Sequence, residues 1–527
     1  AIGYSQNPET NNTANWTVSK INNQNFLVSN PYDIEVGPDG WLWVTERASR
    51  NGNVDNGERL VRINPTTGVK TTMLDLTGEV FSSAGQDGLM GMAIHPALYA
   101  NPATTVNNYV YLAYTYYDDT DQATRGVRRL RITRFAYDHA SKTLLNNAPG
   151  RLVLIENIDA SNDHNSGKLR LNPADMKLYY SIGDLGWNQF ANKCKVIQSQ
   201  ALPSQADITN NNYYSYKGKM LRMNLDGSIP SDNPKFAPFI PTNTNPGPPD
   251  NSIADNLKVR SHIYSFGHRN AQGIVFAPDG TLYSSEHGDI VDDEFNIIQA
   301  GKNYGWPLVA GYYDNAGYDY CIKASAPGCS TANNDCPAGA TVHQESAFPQ
   351  PFDFVAPVAT YNSTVAPNAS TPSGGFLSWP TVAPSGIEYY QSLGTAASIP
   401  WSKSVLIPTL KKGTIYRYDL NAAGDAVVGN LVEFHSSIDR YRDVVVSADG
   451  TTIYAITDST GSTSGPSGSS SLSLANPGAI IVIKYTPAAE PTNQPIGFVA
   501  TGSVGKIALN WGDATGANPA GGYLIKA

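Results

Sequence analysis

Short apolar runs, many of them alternating with polar residues, recur along the chain and are separated by tight-turn signals. Pro-Asp-Gly at 38–40 and 278–280, and Ala-Asp-Gly at 448–450, contain residue types that pre-set the backbone angles of turns. Long amphipathic helical patterns are scarce. The pattern therefore predicts an all-β fold of short antiparallel strands.

Six of the apolar runs resemble one another, and most are followed by a second run of similar character. The six runs lie at 41–44, 109–112, 177–180, 281–284, 404–407 and 452–455. A strand pair used six times predicts a six-bladed β-propeller of four-stranded antiparallel sheets, with long loops over one face. A β-sandwich, or several separate β domains, is the alternative.

The two ends of the chain differ in character from its middle. We expect an Asn-rich N-terminal extension over 1–29, the propeller over 30–487, and a linker at 488–495. Residues 496–527 resemble the start of a fibronectin type III module, but they are too few to close such a sandwich. We therefore expect a truncated segment there.

Charge and composition narrow the range of partners. The 527-residue chain has a net charge of −9, so we expect no basic face for nucleic acid. No apolar run reaches the ~18 residues that a membrane-spanning helix needs, so no membrane span is expected. The first residues look like those of a mature exported chain, which predicts a periplasmic or secreted protein.

The four cysteines are Cys194, Cys321, Cys329 and Cys336. They form no Cys-x-x-Cys pair, which argues against a zinc site. We expect one local disulfide among the last three, with Cys194 closing a second. Four cysteines allow three pairings, and four free thiols are the alternative.

Two short stretches have the character of a catalytic centre. His164 follows Asp163 just before a predicted strand, and such a histidine can act as a general base that the acid orients. Arg269 is a permanent cation that can stabilise charge developing on an oxygen. The structural alternatives are a hydrogen-bonded turn and a surface arginine.

A cationic and an acidic cluster could hold a charged ligand. Arg440 and Arg442 would point to one face of a strand, and with Lys411 they could bind a polyanionic small molecule. The acidic loop 288–294 offers the hard oxygens that calcium prefers. An inter-blade salt-bridge network and a solvated acidic turn are the alternatives.

Taken in order, these segments resemble the soluble glucose dehydrogenases that use pyrroloquinoline quinone (PQQ), over roughly residues 30–486. The resemblance rests on long motifs. They are GQDGLMG at 85–91, DHNSGKL at 163–169, GDLGWNQ at 183–189, NLDGSIP at 224–230, GHRN at 267–270, NYGWP at 303–307, WPTVAPS at 379–385 and RYRD at 440–443.

The resemblance implies oxidation of an aldose at C1 to the lactone, with hydride passing to PQQ and His164 taking the hydroxyl proton. Asp163 would hold His164, and Arg269 would stabilise negative charge on the quinone oxygen. The other implied residues are Gln86, Gln189, Phe376 and Trp379 for the sugar; Asn270, Thr381, Lys411, Arg440 and Arg442 for PQQ; the carbonyls of Gly288 and Asp289 for a calcium ion that also binds PQQ; and Glu294, Tyr304, Ala310, Tyr312, Asp314 and Glu345 for a second, structural calcium.

The resemblance further implies a homodimer and an external electron acceptor, which it does not name. The cysteine-bearing segment 321–336 departs from the family pattern. Two other functions compete. A non-catalytic propeller that binds a glycan or a protein would be expected to lack the cationic cluster, and a calcium-dependent lactonase propeller would place its metal ligands as side chains at the central channel.

Overall fold

The computed structural model describes residues 7–48, 58–83, 85–121, 126–316, 318–330, 336–348, 353–361, 379–460 and 473–487, together with the backbone of two strands within 496–512. Its strands are β1 (Trp16–Lys20), β2 (Pro31–Val36), β3 (Leu42–Glu46), β4 (Arg59–Ile63), β5 (Lys70–Asp75), β6 (Leu89–Ile94), β7 (Tyr109–Tyr117), β8 (Arg128–Asp138), β9 (Thr143–Leu144), β10 (Arg151–Asp159), β11 (Leu169–Asn172), β12 (Lys177–Ile182), β13 (Lys219–Asn224), β14 (Lys235–Phe236), β15 (Val259–Arg260), β16 (Ile263–Phe266), β17 (Ala271–Phe276), β18 (Leu282–Glu286), β19 (Asp293–Ile298), β20 (Tyr320–Ile322), β21 (Thr341–His343), β22 (Ala359–Tyr361), β23 (Glu388–Gln391), β24 (Lys403–Pro408), β25 (Thr414–Leu420), β26 (Val427–Ser436), β27 (Tyr441–Val446), β28 (Thr452–Thr457), β29 (Ile480–Tyr485), β30 (Ile496–Ser503) and β31 (Lys506–Gly512).

Helical structure is limited to short pieces between the strands. The α-helix α1 (Gln205–Thr209) begins at Ser204, whose side chain accepts a hydrogen bond from the backbone of Asp207 in a capping box. The 3₁₀ helices are Glu9–Asn11, Ile21–Asn23, Phe190–Asn192, Tyr214–Tyr216, Asp255–Leu257, Lys323–Ser325 and Glu345–Ala347.

Six antiparallel sheets form the blades of a propeller. Blade 1 is β2 to β5; blade 2 is β6, β7, β8 and β10, with β9 beside β8; blade 3 is β11, β12, β13 and β16; blade 4 is β17, β18, β19 and β22; blade 5 is β23 to β26; and blade 6 is β27, β28, β29 and β1. The first strands β2, β6, β11, β17, β23 and β27 contact one another in that cyclic order, and β27 contacts β2 again. The predicted six-bladed propeller is confirmed.

The six similar runs of the sequence are the second strands of the six blades, β3, β7, β12, β18, β24 and β28. Neighbouring blades cover both faces of these strands, so most of their residues are buried. All five residues of β3 are buried, for example, and its Val44 is paired with Ile34 of β2 and with Val61 of β4. Burial on both faces therefore explains the repeat that the sequence shows.

The apolar core consists of clusters that lie between successive blades. Trp43 of blade 1 packs with Leu89 of blade 2, and Val44 of blade 1 packs with Ile480 of blade 6. Similar clusters join blades 2 and 3, 3 and 4, 4 and 5, and 5 and 6. Because a single blade cannot bury its own faces, the ring must be complete before the core is complete.

The ring is closed by a strand from the N-terminal part of the chain. β1 pairs with β29 as the outer strand of blade 6, with Trp16 opposite Tyr485. The expected boundary at residue 30 is therefore wrong, because 16–20 belong to the propeller rather than to an extension. The sequence pattern did not reveal this pairing, since the partner strand lies near the other end of the chain.

Beyond the propeller, β30 and β31 pair as an antiparallel hairpin. The proposed linker at 488–495 lies outside the described residues, as does the remainder of the segment after β31. The truncated fibronectin-like segment stays a prediction. Among the residues that the structure describes, no helix has the length and apolar character needed to cross a membrane.

Charged side chains meet at the axis of the ring. Lys168, just before β11, lies 3.1 Å from Asp33 of β2 and 2.7 Å from Asp443 of β27. Arg170 of β11 also pairs with Asp33, at 2.9 Å. Burial raises the pKa of Asp443 to about 7, although Lys168 opposes that rise. The network joins the inner strands of blades 1, 3 and 6.

Replacement of Trp16 tests the closure of the ring. Its indole is buried, with its centroid 5.0 Å from Phe434, 5.2 Å from Tyr485 and 5.6 Å from Trp401. Because Trp16→Ala leaves a cavity between these rings, we expect it to lower the free energy of unfolding by about 3–5 kcal/mol in urea denaturation. The control is Thr17→Ala on the exposed side of β1, with a change of about 0.5 kcal/mol or less. Equal midpoints for the two variants would contradict the closure.

Candidate active site

Most of the site residues predicted from the sequence lie at one mouth of the propeller. In an antiparallel blade, the chain enters the first strand at the same end at which it turns from the second strand to the third. Those connections from all six blades therefore share one face of the ring. The residues in or beside them are Gln86, His164, Arg269 and Arg440, which precede inner strands, and Gln189, Gly288, Asp289 and Lys411, which lie in second-to-third-strand loops.

His164 is almost fully buried at this mouth, with 5 % of its surface exposed. Its Nδ1 lies 2.7 Å from Asp184 Oδ1, so an Nδ1–H donates to the carboxylate. Its Nε2 then carries the lone pair and lies 3.1 Å from the Gln189 amide nitrogen, which donates to it. The imidazole is thus held in the tautomer that a base facing the mouth requires.

Asp184, and not Asp163, makes the direct hydrogen bond to the His164 ring. Trp306 Nε1 donates to Asp184 at 2.9 Å and the Gly186 N–H donates to it at 2.8 Å. These two hydrogen bonds fix the position of the carboxylate. Asp163 instead lies 3.7 Å from His164 Nε2. The sequence motif at 183–189 contains Asp184, but nothing in the motif itself indicates this role.

Asp163 organises two glutamines that surround the imidazole. Gln86 Nε2 donates to Asp163 Oδ1 at 2.6 Å, and Gln189 Nε2 donates to Asp163 Oδ2 at 2.7 Å. The Gln86 amide oxygen in turn accepts from the backbone N–H of His164 at 3.3 Å. Both predicted sugar-side glutamines are therefore brought to His164.

Arg269 lies beside the same glutamine. Its Nη2 donates to Gln189 Oε1 at 3.1 Å and to Asp289 Oδ1 at 3.2 Å, and its guanidinium lies 5.2 Å from the centre of the Trp306 ring. The Arg269 Nε is buried and has no hydrogen-bond partner among the described residues. A donor of this kind is available to a ligand oxygen.

A chain of amides connects the imidazole to the cationic side of the mouth. Gln86 Oε1 accepts from Gln272 Nε2 at 3.1 Å and from Asn270 Nδ2 at 3.4 Å. Gln272 Oε1 accepts from Arg442 Nη1 at 3.3 Å. His164 and Arg442 therefore belong to one hydrogen-bond network on one face of the ring.

Arg440 and Arg442 share a single carboxylate, that of Asp458. Each Nε donates to Asp458, at 2.9 Å and 3.0 Å respectively. Burial opposes ionisation of Asp458, but Arg442 and Arg440 outweigh it and lower its pKa to about 2. Arg47 lies nearby, and burial together with Arg442 lowers the pKa of its guanidinium. Three guanidinium groups are therefore buried close to Asp458 at this side of the mouth.

Lys411 completes the cationic set from the loop between β24 and β25. Its Nζ donates to the Trp379 carbonyl at 2.6 Å and to Thr381 Oγ1 at 3.0 Å. Burial lowers the pKa of Lys411 to about 8, against the attraction of Asp293. The structure thus brings Lys411, Thr381 and Trp379 together. Phe376 lies outside the described residues.

The first predicted calcium loop lies against the Lys411 segment. Asp293 Oδ1 accepts from the Gly288 N–H at 2.8 Å, and its Oδ2 accepts from Val382 N at 2.5 Å. Lys411 N donates to the Val382 carbonyl at 3.2 Å. Asp293 therefore ties the loop that contains Gly288 and Asp289 to the cationic side.

The residues expected around a second calcium are only partly brought together. Glu345 accepts from the N–H groups of Ala310 at 3.0 Å and Asp314 at 3.1 Å, and Glu294 accepts from Gly311 at 2.9 Å. Burial raises the pKa of Glu345 to about 7. The Tyr304 hydroxyl is used elsewhere, donating to Ile297 at 2.5 Å, and Tyr312 is partly exposed.

Asp292 adjoins this acidic group. Its Oδ1 is buried without a hydrogen-bond partner in the described part of the chain. Burial, and then the Asp314 carboxylate, raise its pKa to about 8. Among the described residues, however, no three His, Cys, Asp or Glu side chains converge as a metal centre.

Sequence reasoning missed several residues of the mouth besides Asp184. Arg47, His287 and Asp458 each directly follow the second strand of a blade, which is β3, β18 or β28 respectively. Burial, and then His164 and Arg269, lower the pKa of His287 far below its usual value, and its Nε2 is buried without a partner among the described residues. A polar residue directly after each second strand is the signal that could have found them.

The fold and the mouth together define a six-bladed propeller with a buried imidazole and a cluster of buried cations on one face of the ring. The chain belongs to the Glucose / Sorbosone dehydrogenase family, whose family model matches residues 28–239, 240–355 and 356–464.

Two curated relatives show how far the similarity extends. The chain is 36 % identical over 483 residues to quinoprotein glucose dehydrogenase B of Acinetobacter calcoaceticus, covering 89 % of this chain and 92 % of the relative. It is 37 % identical over 103 residues to aldose sugar dehydrogenase YliI of Escherichia coli, covering 19 % of this chain and 23 % of the relative.

Solved structures agree on the fold. The PQQ-bound aldose sugar dehydrogenase of Streptomyces coelicolor superposes with a TM-score of 0.54 at 22 % identity, covering 90 % of this chain and 99 % of that one. The apo form of the soluble Escherichia coli aldose sugar dehydrogenase gives 0.53 at 20 % identity, with the same coverage. At these identities the likeness supports the architecture alone.

Proposed function

We propose that this protein is a PQQ-dependent sugar dehydrogenase that oxidises aldoses such as D-glucose at C1 to the lactone. One observation supports this most strongly. His164, oriented by Asp184, lies in the same hydrogen-bond network as Arg442, and Arg442 and Arg440 both pair with Asp458. A histidine base opposite a cluster of buried cations suits a neutral hydroxylated substrate and an anionic cofactor.

The cationic side of the mouth fits the carboxylates of PQQ. Guanidinium groups bind carboxylates through paired donors, and Lys411 adds a third positive charge. We assign Lys411, Arg440 and Arg442 to the cofactor carboxylates, with Asn270 and Thr381 beside them. When bound, PQQ would supply the two-electron acceptor, and the protein would supply orientation and electrostatics.

The sugar would approach from the glutamine side. His164 Nε2 would accept the proton of the C1 hydroxyl, while Asp184 stabilises the imidazolium that forms. Gln86, Gln189 and Trp379 would line the sugar, and Asp163 would act by fixing the two glutamines. Arg269 would stabilise negative charge that develops on the acceptor oxygen. Phe376 remains a predicted sugar contact.

Calcium would occupy two acidic regions. The carbonyl groups of Gly288 and Asp289 would hold the ion next to the cofactor, because hard oxygens are the ligands that calcium prefers. Oxygen atoms of six residues would hold the second ion: Glu294, Tyr304, Ala310, Tyr312, Asp314 and Glu345. The Asp292 Oδ1 beside this group, which has no hydrogen-bond partner among the described residues, favours a cation there.

The two disulfides support a periplasmic or secreted location, because such bonds persist in oxidising compartments. There the electrons would pass to an external acceptor whose identity the fold does not specify. The homodimer remains part of the same proposal.

Reconstitution tests the proposed function directly. The protein is mixed with PQQ and CaCl₂, and turnover of glucose and other aldoses is followed with an artificial electron-accepting dye. We expect dye reduction that requires both PQQ and sugar, and a change in cofactor absorbance when glucose is added alone. Saturable PQQ binding without turnover of any aldose would contradict the proposal.

His164→Ala separates the base from the cofactor site. We expect kcat to fall by about 10²–10⁴-fold, because general-base catalysis is lost, while the Kd for PQQ stays within about twofold. Asp184→Asn should lower kcat by the same route, since it removes the charge that stabilises the imidazolium. If His164→Ala abolished PQQ binding, the assignment of His164 would be wrong.

PQQ affinity should depend on pH through Lys411. Burial disfavours the charged ammonium, so in the free protein Lys411 loses its proton as the pH rises through about 8. Because only the charged form attracts a carboxylate, we expect the Kd to rise by up to about tenfold between pH 8 and 9. Equilibrium titration of PQQ at several pH values measures this. Lys411→Met should remove the rise in Kd between pH 8 and 9. If the variant kept the same rise, the assignment of the pH dependence to Lys411 would be refuted.

A further inference from the structure

The segment that bears three of the cysteines is attached to the sugar-side loop of the mouth. Strands β20 and β21 pair as a hairpin. These two strands and the described residues between them are here called the cystine hairpin. Cys329 of this hairpin is bonded to Cys194, which lies 135 residues earlier in the loop between β12 and β13. Cys321–Cys336 closes the hairpin on itself. Both expected disulfides are thereby confirmed.

A second attachment is made by the residue directly before Gln189. The Asn188 side-chain amide donates to the Cys321 carbonyl at 2.8 Å, and its oxygen accepts from the Lys323 N–H at 3.0 Å. The side chain therefore closes a reciprocal pair of hydrogen bonds with the backbone of the cystine hairpin. Its φ is +70°, a conformation that Asn and Gly tolerate better than other residues.

The cystine hairpin also packs beneath the base. Tyr320 and Ile322 are fully or almost fully buried in a cluster with Ile197 and Trp306, against which Trp187 packs. Trp306 donates to Asp184, which holds His164. The hairpin therefore contacts both the loop that bears Gln189 and the support of the imidazole.

Gln189 needs such support because its side chain contacts three groups of the mouth. Its amide contacts His164 Nε2, Asp163 and Arg269 at 2.7–3.1 Å. The loop has little regular structure of its own near this point, only the 3₁₀ helix Phe190–Asn192. A small displacement of a positioning side chain can cost a large factor in rate.

We infer that the cystine hairpin is a positioning element for the sugar side of the mouth, acting through Asn188 and Cys194–Cys329 on Gln189. This inference rests on the proposed function. Lys411 lies in blade 5, and Arg440 and Arg442 lie in blade 6, whereas the hairpin is attached to the blade 3 loop that bears Gln189. Loss of the attachment should therefore impair sugar turnover and leave PQQ binding intact.

Asn188→Gly tests the attachment without straining the backbone. Glycine accepts the positive φ, so the substitution removes only the two hydrogen bonds. We expect the kcat/KM for glucose to fall by about ten- to a hundredfold, mainly through KM, with the Kd for PQQ within about twofold. Asn107→Gly is the matched control, because Asn107 is exposed, has φ +62° and lies at the opposite end of the ring.

The double variant Cys194→Ser with Cys329→Ser tests the covalent attachment. It should raise the glucose KM as Asn188→Gly does, again with unchanged PQQ binding. If the wild-type protein oxidises glucose and Asn188→Gly has the same kinetics as Asn107→Gly, the positioning role is overturned and the proposed function is not. A wild-type protein that binds PQQ but oxidises no aldose would overturn the proposed function, and this inference with it.

Discussion

The buried ion network at the axis of the ring is the interaction on which the mouth depends. Lys168 bridges Asp33 and Asp443, so it fixes blades 1, 3 and 6 relative to one another. Removal of one partner would leave an uncompensated buried charge, which is strongly destabilising, so the arrangement is hard to shift. His164 lies four residues before Lys168, and Arg442 is adjacent to Asp443. The network therefore constrains where His164 and Arg442 lie relative to each other.

The cationic side of the mouth lies next to this network. Asp458 is the only carboxylate bonded to both Arg440 and Arg442 in the described chain, and Lys411 has neutral oxygen partners in its hydrogen bonds. Burial penalises the positive charge of Lys411, as its lowered pKa shows. An anionic ligand would relieve that penalty, and binding energy would follow from electrostatics that the fold has already arranged.

The two halves of the mouth are built by different blades. Gln86, His164 and Gln189 come from the connections of blades 2 and 3, whereas Lys411 and Arg440 come from blades 5 and 6. Arg269 and the acidic loop of blade 4 lie between them. This division explains why the cystine hairpin, which is attached to the blade 3 loop through Asn188 and Cys194, can affect one half more than the other.

The sequence by itself determined the six-fold repeat. The second strand of each blade is buried on both faces, so each one contains a short apolar run that can be recognised locally. It also determined the residue types at the mouth, which lie just before the inner strands or in the loops after the second strands. Only the tertiary structure decided that Asp184 orients His164, that Asp458 joins two arginines, and that β1 closes blade 6. The first two contacts depend on how the antiparallel pairing of first and second strands brings their ends together, and the third joins strands near opposite ends of the described chain.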